Sequence, residues 1–275
     1  MAKKEEIKET KEIAVTHQYL AVVENDAVRN VIKENFGDGG LKLTDLQRIK
    51  MPTGGGIAWA VLGEKGMHSV DTLTGIILYH KEVRAYWVDP NSLGDPPACR
   101  SEDTVHGLGH PGGVCYTCPK AQFGSSVKGG AGQACKLMRI IYLLPHDALM
   151  PIVLQLPPTS LKPFRAFLMN LTTHMLTYKQ VETSFGLSQV TPKGAPAYSV
   201  VNVEIARKLN ETETPSIASY AQAFQELVEK QGVPIQGEGD FANRNIEDLE
   251  KVDASELLEE PAPVRDDLED IQDDK

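Results

Sequence analysis

Val114–Lys136 reads VCYTCPKAQFGSSVKGGAGQACK and holds three of the chain's four cysteines; the fourth, Cys99, lies just upstream. The pattern is C-x15-C-x2-C-x16-C. A C-x2-C turn points two thiolates at one centre, and thiolates from the two flanking segments complete a tetrahedron. Gly112, Gly113, Gly124, Gly129, Gly130 and Gly132 let this segment fold tightly but give it little core of its own. A bound metal can supply the folding energy that such a segment lacks. Four thiolates leave no open coordination position, so the spacing of Cys99, Cys115, Cys118 and Cys135 points to one structural Zn2+ per chain, with no catalytic role. Other uses of the four residues fit less well. Disulfides are disfavoured in a reducing compartment, and a redox C-x2-C pair has no need of Cys99 and Cys135. An iron–sulfur cluster takes four cysteines at other spacings. His106 and His110, in HGLGH, are further candidate ligands. Residues 95–137 are therefore expected to form a zinc-ribbon insertion.

The segments around this insertion decide what it is inserted into. Ile57–Leu62 and Gly75–Val88 (GIILYHKEVRAYWV) precede it with strand-like composition, and Met138–Leu144 (MRIIYLL) and Ile152–Leu156 follow. Thr159 then opens a helical pattern that places Pro163 in its first turn, where a missing N–H is tolerated. Two more strands are expected at Gln180–Val190 and Ala197–Leu209, then a helix from Pro215 to Gln231 with Ile217, Tyr220, Phe224 and Leu227 on one face. Upstream, Thr16 is placed to cap a helix over His17–Asn35, with Leu20, Val23, Ala27 and Val31 on one face and Gly37 beyond its end. Three strands, a helix and two strands is the chain order of an OB-fold, although a generic α+β sandwich has the same string. The expected class is mainly β (α+β): an OB-like Greek-key barrel with a zinc-ribbon insertion and flanking helices. The expected organisation is a lead-in and helix over 1–40, the OB-like domain over 41–210, a helix and linker over 211–245, and a disordered acidic tail over 246–275.

Composition narrows the setting. Hydrophobic residues make up 41% and charged residues 24%, the balance of a soluble chain that buries a core. No apolar run reaches membrane-spanning length, so no membrane partner is expected. The opening MAKKEEIKETKE lacks the apolar region of a secretory signal, and a cytoplasmic location is expected. The net charge of -10 is unevenly spread: residues 246–275 carry 13 acidic and 3 basic side chains, whereas residues 41–210 carry 17 basic and 11 acidic. The body is mildly basic and the tail strongly acidic.

No catalytic constellation stands out, and the chain is read as a binding protein, not an enzyme. Gly54-Gly55-Gly56 resembles part of a phosphate loop but lacks the Lys-Ser/Thr that completes one. A binding surface is easier to assemble. Tyr79, Lys81, Arg84, Tyr86 and Trp87 interleave rings and cations in one strand, Trp59 lies in the strand before, and Arg139 and Tyr142 lie in the strand after the insertion. The insertion adds Lys120, Phe123, Lys128 and Lys136, with no acidic residue between Cys115 and Cys135. Rings stack on bases of any sequence and cations follow phosphates, as single-strand binding requires. Strand alternation sends Tyr86 and Trp87 to opposite faces, so these residues cannot all share one surface.

The blocks DLQRIKMPTGGGIAW, RAYWVDP, PPACRSED, CYTCPKAQFGS, GQACKLMRIIYLL and LQLPPTSLKPFRAFL, spread from Asp45 to Leu209, resemble a family of phage- and mobile-element-encoded proteins. More broadly, the layout is similar to phage single-stranded-DNA-binding proteins. That resemblance implies an OB-fold core, a zinc-stabilised insertion held by Cys99, Cys115, Cys118 and Cys135, and an acidic tail that recruits replication or recombination proteins. The end of this chain, IQDDK, departs from it by lacking a terminal aromatic or apolar tip. The expected function is sequence-independent, non-catalytic binding of single-stranded DNA in replication or recombination. The alternatives are a zinc-ribbon module that contacts protein or RNA, and a recombination strand-annealing protein.

The charge split generates a prediction. A tethered polyanion is present at high effective concentration beside the basic body, and its attraction is screened beyond about 8 Å at 0.15 M salt. Truncation after Asn245 is expected to tighten single-strand binding at low salt, with a gain that shrinks as salt rises. Equal affinities of full-length and truncated protein at low salt would assign the tail a solubilising role only.

Overall fold

The computed structural model describes residues 26–235 apart from 64, 90–95, 127–130, 147 and 195. The lead-in, residues 17–25 of the expected N-terminal helix, Lys128 and the acidic tail lie outside the described residues.

The organising element is a pair of long antiparallel strands, β4 (Leu73–Tyr86) and β8 (Lys136–Pro145). In β8, seven consecutive residues from Met138 to Leu144 are buried. A buried run of this kind, apolar but for Arg139, is stable as a strand only when both faces of its sheet are covered. Helix α2 (Pro158–Thr173) covers one face, where Phe164, Phe167 and Leu171 meet Ile141 and Leu143. Helix α3 (Glu213–Gln231) covers the other, where Ile217, Tyr220, Ala221, Phe224 and Val228 meet Ile140, Tyr142 and Leu144. An irregularity between Ile77 and Tyr79 leaves the buried Leu78 as an extra residue in β4, which shifts the face presented by the rest of the strand.

The other strands attach to this pair. β9 (Ile152–Leu156) continues antiparallel from β8, and the short β1 (Arg48–Lys50) lies parallel to β9, with Ile49 opposite Leu154. The second edge of β4 is divided: β10 (Val181–Val190) pairs with its Leu73–Ile76 end, and β5 (Cys99–Ser101) with its Arg84–Tyr86 end. β11 (Tyr198–Lys208) forms a hairpin with β10. β6 (His106–Gly109) and β7 (Gly113–Val114) extend outward from β5. The protein is thus mainly β, with a mixed nine-stranded sheet and few helices.

Local chemistry explains several details. A separate hairpin of β2 (Trp59–Gly63) and β3 (Gly66–Val70) seats Trp59 in the core, where its indole N–H donates to the Phe185 carbonyl at 2.8 Å. The glycine triplet is a packing loop: Ser199 Oγ donates to the Gly56 carbonyl at 2.6 Å and Gln189 Nε2 to the Gly55 carbonyl at 3.0 Å. Gly55 has φ +79°, and a Cβ there would meet the Gln189 side chain at 2.7 Å and Ala197 Cβ at 3.0 Å, so glycine is required. These contacts tie the segment after β1 to the β10–β11 hairpin. Helix α2 starts at Pro158, earlier than the sequence suggested, so Pro163 lies inside the helix and removes one backbone hydrogen bond there. Helix α1 is Asp26–Phe36, and it stops at Gly37 with φ +65°.

Candidate functional site

The cysteine insertion is built from the edge of β4. Tyr86 in β4 pairs with Cys99 in β5, and Cys99 in turn pairs with Gly109 in β6. Two glycines of HGLGH allow this close approach. A Cβ on Gly109 would lie 2.3 Å from the Ala98 carbonyl oxygen, and one on Gly107 would lie 3.0 Å from Cys99 Sγ. The C-x2-C turn then closes: Cys115 N–H donates to the Val105 carbonyl at 2.8 Å and Cys118 N–H to the Cys115 carbonyl at 3.2 Å. Cys135, at the entrance to β8, donates its N–H to the Lys120 carbonyl at 2.7 Å.

Cys99, Cys115 and Cys135 are buried and Cys118 is half-buried. Cys99 and Cys135 pack with Tyr86 and Ala121 in a small core separate from the main one, with Cys118 against it. Burial pushes the Cys135 thiol up to about 11; the other three thiols add to the shift and the charge of Arg84 opposes it. All four cysteines therefore share one neighbourhood. They do not form a coordination shell as placed: among the described residues, no three His, Cys, Asp or Glu side chains are positioned to hold a metal ion together. The donor set itself, four cysteines including a C-x2-C turn, suits a closed zinc site in number and chemistry. Arg84 Nη1 is buried and has no hydrogen-bond acceptor among the described residues. His106 and His110 are exposed, and His106 Nδ1 is engaged by Asp103 Oδ2 at 2.7 Å.

The outer face of the insertion is different in character. Tyr116 is 88% exposed and Phe123 81% exposed. The backbone beneath them is pinned by side chains. Gln122 Nε2 donates to the Tyr116 carbonyl at 2.8 Å and to that of Cys118 at 3.3 Å. Ser125 Oγ bonds the Lys120 and Gln122 carbonyls at 2.9 and 2.6 Å, and accepts from the Ala134 N–H at 2.9 Å. Val105, Leu108 and Val114 are exposed on the same insertion.

Most of the strand residues expected to contact nucleic acid lie elsewhere. Trp59 and Tyr142 are fully buried, Trp87 belongs to the core beneath α3, and Tyr86 belongs to the cysteine cluster, so none offers a free ring face. Tyr79 is half-buried and stacks on Tyr142 with ring centroids 6.4 Å apart. Arg139 is buried, paired with Glu82, bonded to His80 Nδ1 at 2.9 Å and laid over the Phe164 ring at 5.2 Å. Lys81 pairs with Glu102 at 3.6 Å. Lys120 lies over the Tyr86 ring at 5.3 Å, and Lys136 is half-buried in β8. The physical reason is that both faces of the β4–β8 pair are covered, where the sequence reading assumed one solvated face. Phe123 is the expected ring that is exposed, and Tyr116 is an exposed ring that the sequence reading passed over. The available signal was its place between two cysteines of a C-x2-C turn, whose intervening side chains point away from the centre.

No protein-family model, curated protein or solved structure matches the chain.

The buried Arg139 cluster generates a pH prediction. Burial, followed by the charge of Arg139, lowers His80 from its ordinary value to about 4, and the ring accepts from Arg139 in its neutral form. The folded-state value lies below the unfolded one of about 6.5, so the unfolded state binds more protons between them. Stability from this group is complete above about pH 6.5 and is lost as pH falls toward 4. Urea unfolding of the wild type is expected to show that loss, and His80→Gln to flatten it. An unchanged slope in the variant would place the dependence on other groups.

Proposed function

We propose that this chain is a non-catalytic, sequence-independent single-stranded-DNA-binding protein of phage type, active in replication or recombination. The observation that carries this reading is the pair of exposed rings, Tyr116 and Phe123, on a pinned backbone with no acidic residue between Cys115 and Cys135. Large rings left in water on a rigid support lose little entropy on contact, and bases of any sequence can stack on them. Arg100, exposed on β5, and Lys120 supply positive charge at the same insertion.

The reading includes an OB-like core. The order of β4, β8 and β9, then α2, then the β10–β11 hairpin with β10 returning to β4, is what supports it, while among the described residues β11 pairs with β10 alone. The insertion joins the first two of those strands. Zn2+ held by Cys99, Cys115, Cys118 and Cys135 would supply the stability that so glycine-rich a segment lacks. The acidic tail is the proposed contact for replication or recombination proteins. A second reading, a zinc-ribbon module that contacts protein, draws support from the exposed Val105, Leu108 and Val114.

Two measurements test these proposals. In mobility shifts comparing single-stranded DNA, duplex and RNA, single strands are expected to bind best. Tyr116→Ala and Phe123→Ala should each cost roughly 1–3 kcal/mol, and Lys120→Gln should lower the salt slope by about 0.7. No single-strand affinity at low salt would leave the protein-contact reading in its place. Metal analysis of protein purified without chelators is expected to give about one zinc per chain. Cys118→Ser should abolish it while the β4–β8 core stays folded; a disulfide among the four cysteines would refute the metal centre.

A further inference from the structure

We propose that the outer edge of β11 is a dimerisation surface, where a second copy of this chain adds its own β11 antiparallel and extends the sheet. β10 and β11 attach at the opposite end of β4 from the cysteine insertion. The surface is therefore separate from the one proposed for single strands, and its role holds whether or not the chain binds them.

β11 runs for 11 residues, about twice the usual strand length, and among the described residues only β10 pairs with it. The sheet's other described edges are short, three residues in β1 and two in β7. A long open edge presents unpaired main-chain groups, and proteins commonly blunt it with proline, lysine or a bulge. Val200–Ile205 holds neither proline nor lysine, and the irregularity in the β10–β11 ladder falls beyond Ile205. Alternation decides which groups face outward. Val201 N–H donates to Ser160 Oγ of α2 at 3.2 Å, so it points away from β10. The N–H and C=O of one residue share a side in an antiparallel strand, and every second residue repeats it, so Val203 and Ile205 face outward too. With Ala166, Phe167 and Asn170 of α2, these residues line an open groove of about 480 Å³ along the edge.

The edge is complementary to itself. With a two-fold axis at Val203, the middle residue of β11, the three outward residues pair only with one another: Val203 with the partner's Val203, and Val201 with the partner's Ile205. Each Val203 N–H then donates to the partner's Val203 carbonyl and each Ile205 N–H to the partner's Val201 carbonyl, while Val201 N–H keeps Ser160. The opposed residues are apolar, and their side chains fill the groove beside α2, which takes apolar surface of both copies out of water. On the other face Asn202 falls opposite the partner's Glu204, so no like charges are directly opposed. Moving the axis to Asn202 would set Ile205 against Ser199, and moving it to Glu204 would set two carboxylates against each other. The apolar and charge patterns thus select Val203. The result is an isologous interface, the same patch on both subunits, as a two-fold dimer requires. An extended peptide of another protein can use the same kind of edge, but the matching of this edge to itself favours a second copy.

The test follows mass and amide protection of the full chain, without DNA, as its concentration rises. Sedimentation equilibrium is expected to show a monomer–dimer equilibrium that levels off at twice the mass of one chain. In hydrogen exchange followed by NMR, the Val203 and Ile205 amides should gain protection with concentration, while those of Tyr116 and Phe123 stay unchanged. Asn202, exposed and bonded to Ser188 Oγ at 2.5 Å, tests the register. Asn202→Glu opposes like charges twice by symmetry and should weaken the dimer about 2- to 30-fold, whereas Asn202→Lys, opposite Glu204, should tighten it. Loss of the Ser188 bond is common to both variants, so opposite signs report the contact across the axis and not a change within one chain. A single-chain mass at every concentration overturns the proposal and leaves the edge to a segment of another protein. A dimer whose Val203 and Ile205 amides gain no protection also overturns it, by placing the contact on another face. So do Asn202 variants that both dimerise like wild type or shift in the same direction.

Discussion

The β4–β8 pairing is the interaction on which the rest of this structure depends. Ten register pairs, from Gly75 opposite Pro145 to Ala85 opposite Lys136, hold two strands that bury apolar side chains toward both faces over Ile76–Leu78 and Ile140–Leu144. Such a ladder is unstable in water until two layers cover it, and that requirement recruits α2 to one face and α3 to the other. It also explains the length of β4. A strand of 14 residues offers enough edge for β10 at one end and β5 at the other, so the hairpin and the cysteine insertion attach without competing.

Where the apolar run ends, polar groups must be paired instead. His80, Glu82 and Arg139 occupy that boundary and satisfy one another, with the aromatic face of Phe164 beneath the guanidinium. Arg48 is handled in a similar way at the parallel edge: its Nη2 donates to the Pro234 carbonyl at 2.8 Å, and burial lowers its affinity for the proton. Arg207 is held by Glu182 and Glu213, which joins β10, β11 and the first turn of α3. Cations that count as positive charge in the sequence are in these cases internal struts.

This distinction separates what the sequence revealed from what it did not. Long apolar or alternating runs were legible because burial alone decides them, so β4, β8, β9, β10, β11 and α3 fall close to the expected segments in the expected order. The gathering of the four cysteines was legible from their spacing, but the coordination shell that the spacing also implies is not formed among the described residues. The coverage of the sheet was not, because MRIIYLL states that a strand is buried but not what buries it. Tyr79–Trp87 consequently read as an exposed stacking surface when its rings serve the two cores and the cysteine cluster. β1 was missed because Arg48, Ile49 and Lys50 form a strand only through pairing with Ile152–Leu156, a long-range contact that leaves no local pattern. The role of the glycine triplet was likewise invisible, since it depends on Gln189 and Ser199, more than 130 residues away in sequence.

The relocation of the candidate surface also changes the kind of binding to be expected from it. A net charge of +6 over residues 41–210 suggested a body that grips phosphates. Arg48, Arg84 and Arg139 each have one guanidinium nitrogen shut away from solvent, and Arg207 is bracketed by two carboxylates, so these charges are less available to a phosphate backbone than their number in the sequence implies. What remains exposed at the insertion is aromatic first and cationic second. Stacking is nearly independent of salt, whereas each phosphate contact releases counterions and steepens the salt dependence. A single strand held mainly by Tyr116 and Phe123 would therefore stay bound at ionic strengths that strip a purely electrostatic site. The basic body would then act chiefly to raise the encounter rate, and the rings to hold what it gathers.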